Sequence, residues 1–172
     1  GAYSPQKTTV LTVRNPVDLS ALSHPRLEYW ARWDIEENYD GVTIEAKAEE
    51  GLWESLRGRY TQKATGGGNG QPKGTFVYEG TQAEWVKESI DLSQFVGFDE
   101  VTFRFVLRSD ERVEGDGFAL DDLHLLAYPK TELSTADLNG DCLVDVADVL
   151  KLVDLIIWPA SGTSEMKAKG DM

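Results

Sequence analysis

The stretch Leu27-Glu-Tyr-Trp-Ala-Arg-Trp-Asp-Ile-Glu36 decides the fold. Leu27, Tyr29, Ala31, Trp33 and Ile35 alternate with Glu28, Trp30, Arg32, Asp34 and Glu36. A period of two sends successive side chains to opposite sides of an extended chain, so one side here is apolar and the other mostly charged. This is the pattern of a half-buried strand. A helix would repeat its apolar residues at steps of three and four. Trp30 breaks the alternation, because it puts a large ring on the charged side.

The same period recurs on either flank. Val42, Ile44 and Ala46 alternate with Thr43, Glu45 and Lys47, and Val101, Phe103, Phe105 and Leu107 alternate with Thr102, Arg104, Val106 and Arg108. Shorter candidates lie at 9–13, 75–78, 85–90 and 118–127. Turn residues separate them: Asn15-Pro16, Tyr39-Asp-Gly41, Gly66-Gly-Gly-Asn-Gly70, Gln71-Pro72 and Glu114-Gly-Asp-Gly117. Many strands without a long helix predict a mainly β domain, an antiparallel jelly-roll-like β-sandwich, over residues 1–131. A quasi-repeat supports it. Val17-Asp-Leu-Ser20 leads into the strand at Leu27, and Ile90-Asp-Leu-Ser93 leads into the strand at Val101. The two lead-ins are expected at equivalent places in facing or neighbouring sheets.

Several of these runs, in order, resemble a known family. They are Val17-Asp-Leu-Ser20, the strand at 27–36, Tyr39-Asp-Gly41, Leu56-Arg-Gly-Arg-Tyr-Thr61, Tyr78-Glu-Gly-Thr-Gln-Ala-Glu-Trp-Val86, Phe103-Arg-Phe-Val-Leu-Arg-Ser-Asp110 and Gly115-Asp-Gly-Phe-Ala-Leu-Asp-Asp122. Together they are similar to the accessory β-sandwich of secreted bacterial metallopeptidases. Such domains are appended to zinc carboxypeptidases and to immune-inhibitor-A-type peptidases, and are distantly MAM-like. The resemblance covers residues 8–128. It implies a non-catalytic domain that follows a catalytic one, in a secreted, extracellular or cell-surface bacterial protein.

The residues agree with a non-catalytic reading. Zinc carboxypeptidases need His-x-x-Glu plus a distant His, and zincins need His-Glu-x-x-His. This chain has only His24 and His124, followed by Pro25 and Leu125. One cysteine, Cys142, excludes multi-cysteine zinc patterns and an internal disulfide. The glycine run at 66–70 lacks the Gly-Lys-Ser/Thr of a phosphate loop. Asp121-Asp122 beside Glu36 offers paired carboxylates of the kind glycoside hydrolysis uses. The same acids have another use: Glu36, Asp40, Asp121 and Asp122 could converge at one edge and hold a structural calcium, since clustered carboxylates repel until a cation binds. Against this stands a reading in which Asp40 and Asp121 cap turns and Glu36 is solvated or paired with Arg32 or Arg104.

The net charge of −13, from 30 acidic and 17 basic residues, argues against nucleic acid or an anionic membrane as partner. No apolar run approaches the ~18 residues that span a membrane.

Residues 132–172 carry a different signal. Asp137-Leu-Asn-Gly-Asp-Cys-Leu-Val-Asp-Val-Ala-Asp148 sets oxygen-bearing side chains at the spacing of an EF-hand calcium loop. Asp137, Asn139 and Asp141 are expected to coordinate through side chains and Leu143 through its carbonyl. Asp145 acts directly or through water, and Asp148 closes the shell. Val144 is expected to tuck the loop against its own helix. Cys142 stands where a glycine normally makes the sharp turn, at a cost of roughly 1–2 kcal/mol. Val146, Val149, Leu150, Val153, Ile156 and Ile157 then recur at helical steps, predicting a helix over about 146–157 that stops near Trp158, before Pro159. No helix is expected ahead of the loop.

This loop-then-helix unit resembles a dockerin repeat, carried by Asp137-x-Asn139-x-Asp141, Val144-Asp145, Asp148-Val-Leu-x-Leu152 and the Ile-Ile pair. The resemblance implies calcium and a cohesin-like scaffold protein as partner, with Val146, Ala147 and Lys151 at the discriminating surface. Dockerins carry two repeats. Gly170-Asp-Met172 matches the opening Ala136-Asp-Leu, so a second repeat is expected to start near 171. Half a module should dock poorly.

Two function classes follow. One is a calcium-binding accessory and docking region of a secreted hydrolase. The other is a carbohydrate-binding or adhesion module that touches a polysaccharide or peptide surface through exposed aromatics, with Trp30, Trp53 and Trp85 as candidates. Outer-face aromatics also pack under loops, and that reading stays open beside it.

Overall fold

The computed structural model describes residues 2–66, 70–130, 136, 138, 139 and 144–157. The chain divides into two compact units, Gly1–Pro129 and Lys130–Met172. In the first unit the described strands run β1 (Thr8–Thr12), β2 (Leu22–Ile35), β3 (Gly41–Ala48), β4 (Glu54–Ser55), β5 (Gln62–Lys63), β6 (Phe76–Val77), β7 (Gly80–Asp91), β8 (Val101–Arg108) and β9 (Gly117–Pro129). A 3-10 turn at Ser93–Phe95 precedes β8.

One sheet has the order β1-β8-β3-β4 and the other β7-β2-β9, with a small β5-β6 ribbon beside them. Every pairing is antiparallel. The chain changes sheet between β1 and β2, between β2 and β3, between β7 and β8, and between β8 and β9. This is the expected mainly β sandwich.

The alternation at 27–36 places the core. Leu27, Tyr29, Ala31, Trp33 and Ile35 are buried, facing Val42, Ile44 and Ala46 of β3 and Val101, Phe103 and Phe105 of β8. Tyr29 meets Phe105 edge-on at 5.6 Å, and Trp33 meets Tyr78 at 4.9 Å. Paired rings of this kind add to the burial of their area. The Tyr29 and Tyr78 hydroxyls, 2.7 Å apart, would be costly inside this core if unpaired. Tyr78 OH donates to the buried carboxylate of Glu88, which also accepts the Arg59 and Tyr60 amides.

The two lead-ins occupy facing sheets. In each, the aspartate Oδ1 accepts both the amide and the hydroxyl of the serine two residues on: Asp18 with Ser20 at 2.8 and 2.6 Å, Asp91 with Ser93 at 2.9 and 2.6 Å. Leu19 and Leu92 plug the core in the same way. Val17 bridges to β8, whereas Ile90 pairs with β2.

One expectation needs correction. β3 and β8 are not half-buried, because Thr43, Glu45 and Val106 of their outer face are also buried. Glu45 accepts from Arg104 Nε at 2.7 Å, Arg108 at 2.9 Å and the Thr43 hydroxyl at 2.9 Å. Arg104 in turn lies over the Trp53 ring at 3.9 Å, with Lys47 at 5.6 Å. A paired, hydrogen-bonded carboxylate can leave water where a lone one cannot.

In the second unit α1 spans Val146–Ile157, as the helical spacing predicts. Asp145 begins it: its Oδ1 accepts the Ala147 amide at 2.7 Å, which satisfies one of the donors a helix N-terminus leaves open. The expectation that Val144 tucks against this helix does not hold, since Val144 is 62% exposed. The apolar side chains of α1 are themselves exposed, so the helix offers Val144 no buried surface to join.

Candidate metal centre

The β2–β3 turn creates an acidic edge. Glu36 follows the last residue of β2, and Asp40 precedes the first residue of β3. Gly41 pairs with Arg108, so the end of β8 arrives beside Asp40 and brings Asp110 with it. Glu36, Asp40 and Asp110 each offer a carboxylate oxygen, and these atoms lie within 4.8 Å of one another. Two oxygens bound to one calcium ion at about 2.3–2.6 Å are separated by no more than about twice that length. The set therefore fits the shell of a hard divalent cation.

The surroundings position these carboxylates without neutralising them. Asp40 is 1% exposed. Its Oδ1 accepts the Asp110 amide at 2.6 Å, and its Oδ2 accepts the Tyr3 hydroxyl at 2.6 Å. The same hydroxyl accepts the Glu36 amide at 3.2 Å. Gln71 donates to the Asp40 carbonyl at 2.6 Å and to Glu79, which also accepts the Asn38 amide. Asn38 has φ 70°, a left-handed position that asparagine tolerates well. Glu36 differs: its Oε2 is buried and has no hydrogen-bond partner among the described residues.

The electrostatics carry the same message. Loss of solvation raises the Glu36 pKa, and the negative charges of Asp110, Asp40 and Glu114 raise it further. Asp40 is raised by loss of solvation, partly offset by the bonds from Tyr3 and the Asp110 amide. The Tyr3 hydroxyl is pushed up to about 12, first by burial and then by its bond to Asp40. The charges that shift Glu36 and Asp40 most are those of acidic neighbours.

The sequence did not single out Asp110 or Tyr3. The structure brings Glu36 and Asp40 together as expected but joins them to Asp110, not to Asp121 and Asp122. Asp121 sits opposite Trp30, six residues down β2 from Glu36, about 20 Å at the rise of a strand. Asp122 has φ 51° where β9 shifts register against β2. Glu36 pairs with neither arginine, since Arg104 binds Glu45 and Arg32 lies over Trp85.

Within the 137–148 loop, Asp137, Asp141 and Leu143 lie outside the described residues, as do Cys142, Trp158 and the start of a second repeat near 171. Asp145 caps α1. Asp148 is buried, and both its oxygens are occupied: Oδ1 accepts the Leu138 and Asn139 amides at 2.7 and 3.2 Å, and Oδ2 accepts the Asp145 amide at 2.8 Å. The Asp145 amide, then those of Asn139 and Leu138, hold its pKa below the ordinary range. Asn139 is exposed. Val146 is exposed on α1, Ala147 is half-buried and Lys151 is exposed.

Of the three tryptophans, Trp30 and Trp85 are 40% and 41% exposed, while Trp53 is half-buried beneath its two cations.

The chain is 28% identical over 158 residues to Immune inhibitor A of Bacillus thuringiensis subsp. alesti. It is similar to that protein across 91% of its own length. The match covers 20% of Immune inhibitor A, so the chain spans about one fifth of the relative it matches. No protein-family model matches it. No helix among the described residues is long and apolar enough to cross a membrane.

Proposed function

We propose that this chain is a non-catalytic accessory and docking region of a secreted bacterial hydrolase of the metallopeptidase class. Calcium braces its sandwich, and a dockerin-type repeat at 137–157 engages a cohesin-like scaffold. The observation that carries the reading is the Glu36 Oε2, a buried oxygen near the Asp40 and Asp110 carboxylates with no hydrogen-bond partner among the described residues. A hard oxygen-binding cation supplies the missing charge. When bound, it would tie the β2–β3 turn to the end of β8 through Glu36, Asp40 and Asp110. Tyr3 and the Asp110 amide would hold Asp40 in place. The similarity to Immune inhibitor A along most of the chain supports an extracellular accessory role. The absence of a peptidase zinc motif around His24 and His124 supports a non-catalytic one.

Thermal unfolding of the metal-stripped chain with and without calcium tests the brace. Calcium is expected to raise the midpoint in wild type and to lose that effect in Asp40→Asn and Asp110→Asn. An identical midpoint with and without calcium in wild type would remove calcium from the proposal. Binding to a panel of cohesins tests docking separately, with Val146→Asp and Lys151→Glu expected to weaken any complex.

A further inference from the structure

The outer face of the β7-β2-β9 sheet carries a feature that an accessory or docking role does not explain. β2 is the central strand, and Trp30, Arg32 and Asp34 point away from the core along it. On the β9 side, Arg32 is paired with Ala119 and Asp34 with Gly117. These two small residues leave a trough of about 520 Å³, in the range typical of small-ligand sites.

On the β7 side the ladder is broken. Ala31 pairs with Val86 but Trp33 pairs with Gln82, so three residues of β7 oppose Arg32 alone. Such a bulge re-aims side chains. Here it sets Trp85 beside Arg32, whose guanidinium lies 5.1 Å from the ring. Arg32, which makes this contact with Trp85, lines the trough together with Gln82 and Ala83, and the far end is acidic: Asp34 accepts the Thr81 hydroxyl at 2.7 Å, and Asp116 lines the opening.

We infer that this trough, with Trp30 beside it, is a binding site for an uncharged polysaccharide chain. Each part of the surface excludes another occupant. Asp34 and Asp116, in a chain of net charge −13, repel an anionic polymer. A peptide adding as a strand needs a sheet edge, whereas this trough crosses the central strand. An apolar ligand would strip water from Arg32, Asp34 and Asp116 and give them no new hydrogen bonds in return. A sugar chain meets all three demands. Its hydroxyls donate to carboxylates and accept from a guanidinium, and its flat C–H faces lie on indole rings. Trp30 makes no ring or cation contact among the described residues and is open to such stacking, unlike Trp53. From Trp30 to Asp34 the strand runs about 13 Å, longer than one sugar ring, so the site suits a chain over a monosaccharide.

The test is affinity electrophoresis of the full chain through gels that each contain one polymer: a β-glucan, a xylan, a mannan, or anionic polygalacturonate. At least one neutral polymer should retard wild type. Trp30→Ala and Arg32→Ala should each lose about tenfold in affinity, while Trp53→Ala should bind as wild type. Should Trp30→Ala fail to fold, Ala119→Tyr, which fills the trough from an accessible position, must abolish retardation. No retardation by any neutral polymer, retardation by polygalacturonate alone, or full retardation of Ala119→Tyr overturns the inference. The site shares no residue with Glu36, Asp40 and Asp110, so loss of the calcium effect and loss of sugar binding are read independently.

Discussion

The same sandwich buries Glu45 and one oxygen of the half-buried Glu36, and the two carboxylates meet opposite company. Glu45 lies between Arg104 and Arg108 with Thr43 beneath it, and its lone pairs are filled. Glu36 faces Asp40, Asp110 and Glu114 and keeps a buried oxygen without a partner. β8 brings the counter-charges to the carboxylate on β3; the turn before β3 gathers carboxylates and supplies none. The fold is therefore capable of neutralising an acid when its structure requires it. The acidic edge is where the proposed calcium would supply the missing charge. The contrast can be broken at either end.

The largest effect is expected at the satisfied end. Glu45→Ala leaves two arginines facing each other without their shared acceptor, and breaking a buried pair by removing one partner costs about 3 kcal/mol. Urea unfolding should show it directly. A loss no greater than that of an exposed pair would mean that Arg104, stacked on Trp53, carries the site without Glu45.

Slightly smaller is the effect of calcium at the unsatisfied end. At a free concentration about a hundredfold above the dissociation constant, a ligand specific for the folded state adds about 2.7 kcal/mol. Asp110→Asn should erase that gain while leaving Glu45 and the rest of the β3–β8 ladder untouched. Retention of the whole gain in this variant would place the ion elsewhere.

The pH dependence separates the two ends by sign. Glu36 and Asp40 have raised native pKa values, so between the ordinary carboxylate range and those raised values the folded state holds more protons than the unfolded one. Stability in that window falls as pH rises, and acidifying the metal-stripped protein recovers it. Burial raises Glu45, but Arg108, Arg104 and Thr43 outweigh it and leave the pKa low. Its contribution is present above the unfolded pKa and is lost as pH falls through the native one. Metal-stripped protein titrated from about pH 7 to about pH 3 should first gain midpoint temperature and then lose it. Calcium should flatten the gain, because it holds both raised carboxylates in their charged form. A monotonic fall in metal-stripped protein would show that Glu36 and Asp40 are not held against their charge.

How much of this was legible depended on the sequence distance over which each feature is written. The alternation at 27–36 carries its own face assignment, so the core residues and the exposed Trp30 follow from the strand alone. The Asp-Leu-Ser lead-ins are local turns, and their serine bonds repeat almost to the tenth of an ångström. Glu36 and Asp40 flank one turn and were readable as a pair. Asp110 was not, because only the Gly41–Arg108 register brings it there, and register between strands so far apart leaves no trace in either one. Asp121 and Asp122 drew attention as a doublet, yet pairing with Trp30 carries Asp121 down the sheet. The burial of Thr43 and Val106 escaped for a similar reason: what covers an outer face is decided by other segments. The trough at Ala119 and Gly117 is a gap between large neighbours, and a period of two records which side a residue faces but not how much space it leaves.

The smallest effect belongs to the second unit, where Asp148 offers a third kind of carboxylate. It is buried and satisfied like Glu45, but by backbone amides of Leu138, Asn139 and Asp145 in place of side chains. Such amide bonds favour the charged form and need no metal to make them. Asp148 thus fastens both ends of its loop before any ion arrives, and α1 begins at the Asp145 cap within that fastening. Metal-stripped chain should already show the helical circular-dichroism signal of α1, and calcium should add little to it. Asp148→Ala should lower that signal without calcium, because three amides lose their acceptor, while tryptophan fluorescence continues to report an unchanged midpoint for the sandwich. Asp148→Asn, which keeps one carbonyl oxygen, should fall between. A large helical gain on adding calcium to wild type would mean that the amides do not hold the loop alone, and that an ion is needed to form α1.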